Sequence, residues 1–109
     1  MITSLAADTQ NEIEEALRDV IDPELGVNVV DLGLLYELGW DEESGKLIIY
    51  MTLTTAECPL QDDISDQAAQ ALAGMIESHE IRWVWVPAWT PALITEDGRD
   101  MMRALGFSV

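Results

Sequence analysis

The sequence predicts a compact α+β domain whose elements follow the order helix, strand, strand, helix, strand, helix. An apolar stripe at helical spacing opens the chain, two strand-like segments flank a short polar turn, and helical and strand patterns then alternate to the end. A length of 109 residues allows one hydrophobic core and leaves no room for a second. We therefore expect a single domain with a three-stranded sheet and helices mainly on one face.

The first helix is predicted over residues 10–21. Thr9 and Glu12 have the spacing of a capping box, and Pro23 disfavours helical geometry at the residue before it. The helix carries an apolar stripe of Ile13, Ala16, Leu17, Val20 and Ile21. Residues 1–9 are predicted to be a flexible leader, and residues 10–109 to form the domain.

Two strands are predicted next, over residues 34–40 and 46–54, joined by the turn DEESG. The short polar connection favours an antiparallel hairpin. A third strand is predicted over residues 81–86. Trp83, Trp85 and Tyr50 suggest that the face of the sheet away from the helices is apolar, and the Trp89 loop or a second subunit could cover it.

The middle helix is predicted to start at the segment TLTTAECPLQDDI. Pro59 suits the first position of a helix because its missing N–H costs nothing there. The helix is predicted to carry the buried stripe Ile64, Ala68, Ala71, Leu72, Met75 and Ile76 and to end near His79. Thr95 is predicted to cap a last helix that runs to Leu105.

The charge balance excludes some function classes. Five basic residues against 21 acidic ones give a net charge of −16, and such a surface repels phosphate backbones and anionic lipid. We therefore expect neither nucleic-acid nor membrane binding, and a basic partner protein remains open. The absence of a long apolar run and of a signal-like start predicts a cytoplasmic protein.

Cys58 is the only cysteine. It cannot form a disulfide within the chain, and it cannot by itself hold zinc or an iron–sulfur cluster, since such sites use about four ligands. At the start of a helix, backbone N–H groups lower the pKa of a thiol, whereas the nearby Glu57, Asp62 and Asp63 raise it. The sequence leaves open a reactive thiol and a half-buried cysteine that acts as a small hydrophobe.

A cysteine–histidine catalytic pair is disfavoured. His79 is the only histidine, and if one helix joined it to Cys58, the separation would be roughly 30 Å. The loop DPELGVNVVDLG offers Asp22, Glu24 and Asp31 as metal ligands or acid/base groups. The favoured alternative is that Asp22 and Asp31 accept backbone N–H bonds and hold the loop, as in Asx turns. Trp89 is predicted to pack as a lid over the sheet.

The segments IDPELGVNVVDLGLLYEL, MTLTTAECPL and PAWTP, in this order and spacing, resemble the SufT/PaaD-like metal–sulfur cluster biosynthesis family. The resemblance covers residues 13–106. It implies an accessory role in iron–sulfur cluster assembly or delivery, with no catalysed reaction and no tightly bound cofactor. The implied partners are the iron–sulfur assembly machinery and client apo-proteins, and a homodimer remains open.

The resemblance also implies site residues. Cys58 matches the family's reactive cysteine and would bind iron or a cluster transiently, sharing it with a second subunit or a partner. The other matching positions, which would shape the pocket beside it, are Asp22, Glu24, Asp31, Thr52, Thr54 and Trp89. The tail is similar to the PaaD branch, but this chain lacks the cysteine-rich extension common there. A protein-interaction adaptor with an incidental cysteine, and a small thiol enzyme, are the alternatives.

Overall fold

The computed structural model describes residues 2–54 and 58–108, with the backbone alone at residues 58 and 59. Its elements in chain order are β1 (Ile2–Thr3), α1 (Ala7–Leu17), β2 (Leu35–Asp41), β3 (Lys46–Met51), α2 (Cys58–Leu72), β4 (His79–Trp83), a 3-10 turn (Pro91–Leu93) and α3 (Glu96–Ala104). The α+β class and the order of the longer elements are confirmed. The sheet has four strands instead of three, because Ile2–Thr3 forms a short additional strand.

The strands lie side by side in the order β1-β2-β3-β4. The predicted hairpin is confirmed, since β2 and β3 pair antiparallel with Leu38 opposite Ile49. β4 runs parallel to β3, with Ile81 opposite Ile49, and α2 is the crossover that a parallel connection requires. This topology places the start of α2 at the end of the sheet where β3 finishes.

One hydrophobic core lies between the helices and the sheet. Alternate residues of β3 and of the segment after it, Leu47, Ile49, Met51 and Leu53, join the core on the helix-facing side of the sheet. The largest helix contributions are Ile13 and Leu17 from α1, Leu60, Ile64, Ala68 and Leu72 from α2, and Met102 from α3. Ile48 points to the opposite face and is also fully buried.

The predicted bounds of the first helix were wrong at both ends. α1 begins at Ala7 and has no side-chain cap, so the predicted capping box is absent, and it ends at Leu17. After α1 the chain doubles back on itself, because Val29 N–H donates to the Val20 carbonyl and Ile21 bridges Asn28. Regular structure also begins before the predicted boundary at residue 10, since β1 and the first turn of α1 precede it.

The second half of the chain differs from the prediction in where α2 ends. The helix stops at Leu72, and Gly74 follows with φ of +82°, a backbone conformation that favours glycine. His79 therefore lies in β4 opposite Leu47. The 21-residue helix assumed for the cysteine–histidine separation does not exist. His79 nevertheless lies beside the beginning of β3, whereas α2 starts beyond the end of β3. The histidine and the start of α2 therefore lie toward opposite ends of the strand.

The tryptophans do not form one apolar sheet face as predicted. Trp83 ends β4 and packs partly buried against the helix-side core, whereas Trp85 lies beyond the strand and is 42% exposed. β3 also ends three residues earlier than predicted, at Met51.

Candidate functional site

The backbone enters α2 at Cys58, which confirms that the middle helix starts at the only cysteine. No acidic residue lies in the first turn of this helix, and the first acid along it is Asp62. The N–H groups of a first helical turn lack intrahelical partners and favour a negative charge. The side chain of Cys58 lies outside the described residues, so its role as the functional thiol stays a prediction.

The threonines between β3 and α2 differ in exposure. Thr52 is buried, and its N–H donates to the Leu34 carbonyl at 2.9 Å. Thr54 is half-buried. This hydrogen bond connects two segments of the chain: the one that precedes Cys58, and Leu34 at the end of the DPELGVNVVDLG loop.

The DPE turn is held by a buried aspartate. Asp22 Oδ1 accepts hydrogen bonds from the N–H groups of Glu24 at 2.8 Å and Leu25 at 3.2 Å. This is the Asx-type role that the sequence favoured for Asp22. Its other oxygen, Oδ2, is buried and has no hydrogen-bond partner within the described part of the chain. Glu24, in contrast, is exposed to solvent.

Gln67 of α2 clamps the start of this turn. Its side-chain amide donates to the Ile21 carbonyl at 2.9 Å and accepts from the Ile21 N–H at 2.8 Å. The two bonds fix the DPE turn to the helix that Cys58 begins. Sequence reasoning missed this contact, because a glutamine on an exposed helix face carries no signal for a partner 46 residues away.

Asp31 is the centre of a second, separate polar cluster. Its carboxylate accepts hydrogen bonds from Arg18 Nη1 at 2.9 and 3.0 Å, from Asn28 Nδ2 at 2.7 Å and from Thr95 Oγ1 at 2.9 Å. These partners belong to the end of α1, the loop and the cap of α3. Burial by itself raises the pKa of the Asp31 carboxyl, but its donors outweigh burial and hold the pKa below the ordinary aspartate value.

Gly33 and Trp89 close the DLG loop against the segment that precedes α3. Trp89 Nε1 donates to the Leu32 carbonyl at 2.7 Å. Its ring packs partly buried against the core. Gly33 has φ of +77°, and a Cβ there would lie 2.3 Å from the Leu93 carbonyl oxygen. Trp89 thus packs against the DLG loop and the core, whereas a lid over the sheet was predicted, and Gly33 allows the two loops to contact each other.

Replacing Gly33 with alanine is expected to destabilise the protein more than replacing Gly74, the matched control. Both glycines have positive φ, which costs an L-residue roughly 1–2 kcal/mol. An added Cβ would collide with backbone atoms at Gly33 but would meet no atom within 4 Å at Gly74. We expect the free energy of unfolding to fall for Gly33→Ala by about 2 kcal/mol more than for Gly74→Ala. Denaturant unfolding of both variants measures the difference, and equal losses would contradict the close contact.

An apolar groove of about 410 Å³ lies next to the DLG loop. It is lined by Val30, Gly33, Leu35, Tyr36, Pro87 and Leu93. Tyr36 Oη donates to the Pro87 carbonyl at 2.8 Å and so ties the loop after β4 to β2. The adaptor alternative requires a surface that binds another protein, and this groove offers one.

The described residues form no group of three or more histidine, cysteine, aspartate or glutamate side chains that could hold a metal ion. Asp22 and Asp31 sit in different polar networks, and no hydrogen bond within the described ranges joins them. The structure thus separates the predicted pocket residues. Asp22 and Glu24 lie in the DPE turn and Asp31 in its own cluster, Thr52 and Thr54 follow β3, and Trp89 lies against the DLG loop. No helix among the described residues is both long and apolar enough to cross a membrane.

Comparison with known proteins identifies the relationship. The sequence profile of the iron–sulfur cluster assembly protein family matches residues 10–83, which include the DPE turn, the DLG loop and Cys58. The chain belongs to the iron–sulfur cluster assembly protein family. The resemblance derived from the motifs is therefore confirmed.

Two curated bacterial proteins are similar to this one over most of the chain. The Fe-S protein maturation auxiliary factor YitW of Bacillus subtilis is 45% identical over 83 residues, covering 74% of this chain and 80% of YitW. The Fe-S protein maturation auxiliary factor SufT of Staphylococcus aureus is 42% identical over 91 residues, covering 82% of this chain and 99% of SufT.

The fold of this iron–sulfur cluster assembly family member also matches a solved structure. A crystal structure of a domain of unknown function from Bacillus anthracis superposes with a TM-score of 0.77 and 32% identity, covering 93% of this chain and 94% of that one.

Proposed function

We propose that this protein is an accessory factor that helps to assemble iron–sulfur clusters or deliver them to client apo-proteins in the cytoplasm. The observation that carries the proposal is the family match over residues 10–83, within which the only cysteine begins α2. The names of YitW and SufT, both maturation auxiliary factors, support an accessory role.

In this proposal Cys58 supplies the protein's single thiolate ligand. Thiolate sulfur prefers iron–sulfur clusters and other soft metal centres, whereas carboxylates prefer hard cations. One thiolate completes no cluster site, so the iron or cluster is cargo held jointly with another protein or a second subunit. Backbone N–H groups of the first turn of α2 would stabilise the thiolate that this exchange needs.

The surrounding loops would position the helix start and would not bind iron. Asp22 uses one oxygen to hold the DPE turn, and Gln67 fixes that turn to α2. The Asp31 carboxylate already accepts hydrogen bonds from the side chains of Arg18, Asn28 and Thr95. Glu24 is the exposed carboxylate of the DPE turn, and in this proposal it contacts the incoming partner.

The function is tested by complementation. A bacterium that lacks its own maturation factor of this family should regain activity of its iron–sulfur enzymes, measured per amount of enzyme polypeptide, when it expresses this chain. The control is an enzyme without a cluster, whose activity should not change. Failure to restore cluster enzymes, with the chain present at normal levels, would reject the proposal.

The adaptor alternative rests on the apolar groove and the exposed Trp85. Trp85→Ala is the variant that separates the two functions, because Trp89→Ala would also remove the bond to the Leu32 carbonyl and disturb the loop. If Trp85→Ala lowers complementation more than Cys58→Ser does, the adaptor function is favoured. An accessory factor that depends on its thiol predicts the reverse order.

A further inference from the structure

The outer edge of β4 presents unpaired backbone groups. β4 is the outermost strand of the sheet, and no described residue pairs with its outer side. The Ser78 carbonyl accepts from Leu47 N–H at 3.0 Å, and Val84 N–H donates to the Met51 carbonyl at 2.7 Å. Successive residues of a strand point their backbone N–H and C=O groups to alternate edges. The backbone groups of the even-numbered residues therefore point toward β3, and those of His79, Ile81 and Trp83 point outward.

The edge also lies beside the least acidic segment of the chain. Residues 81–95 contain no acidic residue and hold three of the four tryptophans. Trp85 is 42% exposed and Val86 is 85% exposed directly after the strand. An exposed edge with apolar neighbours is where strands of different chains pair. Two chains that each carry a charge of −16 can approach most easily here.

The charges on the edge are self-complementary. Glu80 and Arg82 lie on the same face of β4, and within one chain Arg82 Nε contacts Glu80 Oε2 at 2.6 Å. In an antiparallel pair of identical strands with a two-fold axis at Ile81, Glu80 lies opposite the partner subunit's Arg82 and Arg82 opposite the partner subunit's Glu80. A two-fold interface requires this reciprocity, in which each residue of a pair meets the other.

The hydrogen-bond pattern fits the same axis. Ile81 would face the partner subunit's Ile81, and His79 would face the partner subunit's Trp83, with outward backbone groups on both sides. These positions become hydrogen-bonded pairs, giving about six backbone bonds. The Glu80–Arg82 positions become the non-hydrogen-bonded pairs, in which opposing side chains are closest.

We propose that two copies of this protein pair antiparallel through β4, with the two-fold axis at Ile81, to form one continuous eight-stranded sheet. The pairing has a consequence for the thiols, which rests on the proposed function. In the order β3-β4-β4-β3 the two β3 strands lie three strand spacings, about 14 Å, apart and run in opposite directions. The two α2 starts then lie toward opposite ends of the sheet. A cluster bound at one of them would therefore be shared with a partner protein and not with the second copy.

Sedimentation of the full-length protein over a wide concentration range, at physiological salt, tests the pairing without reference to iron or activity. The wild type should form dimers. Arg82→Glu should weaken them by about tenfold or more, because it replaces two attractive cross-strand pairs with two repulsive ones. Arg103→Glu is the matched control, since it makes the same charge change on an exposed arginine of α3, and it should leave the dimer unchanged.

The exchanged variant gives the sharpest result. Glu80→Arg combined with Arg82→Glu restores the complementary pattern and should recover dimerisation to within about threefold of the wild type. The amide protons of Ile81 and Trp83 should exchange slowly in the wild-type dimer and quickly in Arg82→Glu. A wild type that stays monomeric, a dimer that is insensitive to Arg82→Glu, or an exchanged variant no better than the single one would each overturn the proposal.

Discussion

Replacing Cys58 with serine is expected to abolish maturation of client iron–sulfur enzymes while leaving the fold intact. Serine keeps the size and position of the side chain but exchanges a soft, ionisable sulfur for a hydroxyl that stays protonated near neutral pH. We expect at least a tenfold loss of complementing activity for Cys58→Ser, about 1.4 kcal/mol or more when expressed as a free energy. The measurement is the activity of cluster enzymes in the complementation assay.

Two controls make this result interpretable. Cys58→Ala should be as inactive as Cys58→Ser, because both lack the thiolate. Both variants should unfold within about 1 kcal/mol of the wild type, which shows that activity is lost from a folded protein. A well-folded serine variant with full activity would remove the thiol from the mechanism and leave the adaptor alternative.

Replacing Asp31 with asparagine is expected to cause a large loss of stability. The Asp31 side chain is 3% exposed and accepts from Arg18, Asn28 and Thr95. Asparagine offers one acceptor oxygen and adds two N–H donors, so at least one of the present donors would face another donor. Breaking a buried charge pair from one side costs about 3–5 kcal/mol, and we expect the lower end because Arg18 is partly exposed.

The matched control for Asp31 is Asp100→Asn. It makes the same chemical change in a carboxylate that pairs with Arg103 on an exposed helix face. Exposed pairs contribute little, so the free energy of unfolding should change by less than about 0.5 kcal/mol. Denaturant unfolding measures both variants. Similar small effects in the two would show that the Asp31 cluster does not hold α1, the loop and α3 together.

The long elements could be predicted from the sequence because each carries its own local signal. The alternation in β3 and the Thr95 cap of α3, whose side chain accepts from Gly98 N–H, are visible in short stretches of sequence. The strand β1 was missed because two residues cannot show an alternation. The end of α1 was predicted too late because the apolar stripe continues to Ile21, while the turn that follows is set by backbone pairing with residues seven and nine positions further on.

The sequence motifs pointed to residues that hold the loops, but not to the way in which those residues are arranged. The motifs pointed to Asp22, Asp31 and Trp89. Asp22 has the Asx-type role that was favoured, whereas the Asp31 carboxylate accepts from side chains instead of backbone N–H groups, and Trp89 packs against the DLG loop and the core. Arg18, which pairs with Asp31, and Gln67, which binds the Ile21 backbone before the DPE turn, carry no motif and are found only when distant elements meet. The proline signal at the start of α2 was sufficient to place Cys58 at a helix N-terminus.

The central claim is that the thiol at the start of α2 is open to groups from outside the monomer. Titration of the native, reduced protein with a chromogenic thiol reagent tests it directly, because the chain has a single cysteine to count. We predict that one thiol per chain reacts under native conditions at a rate close to that of the unfolded protein. A thiol that reacts only after denaturation would contradict the claim.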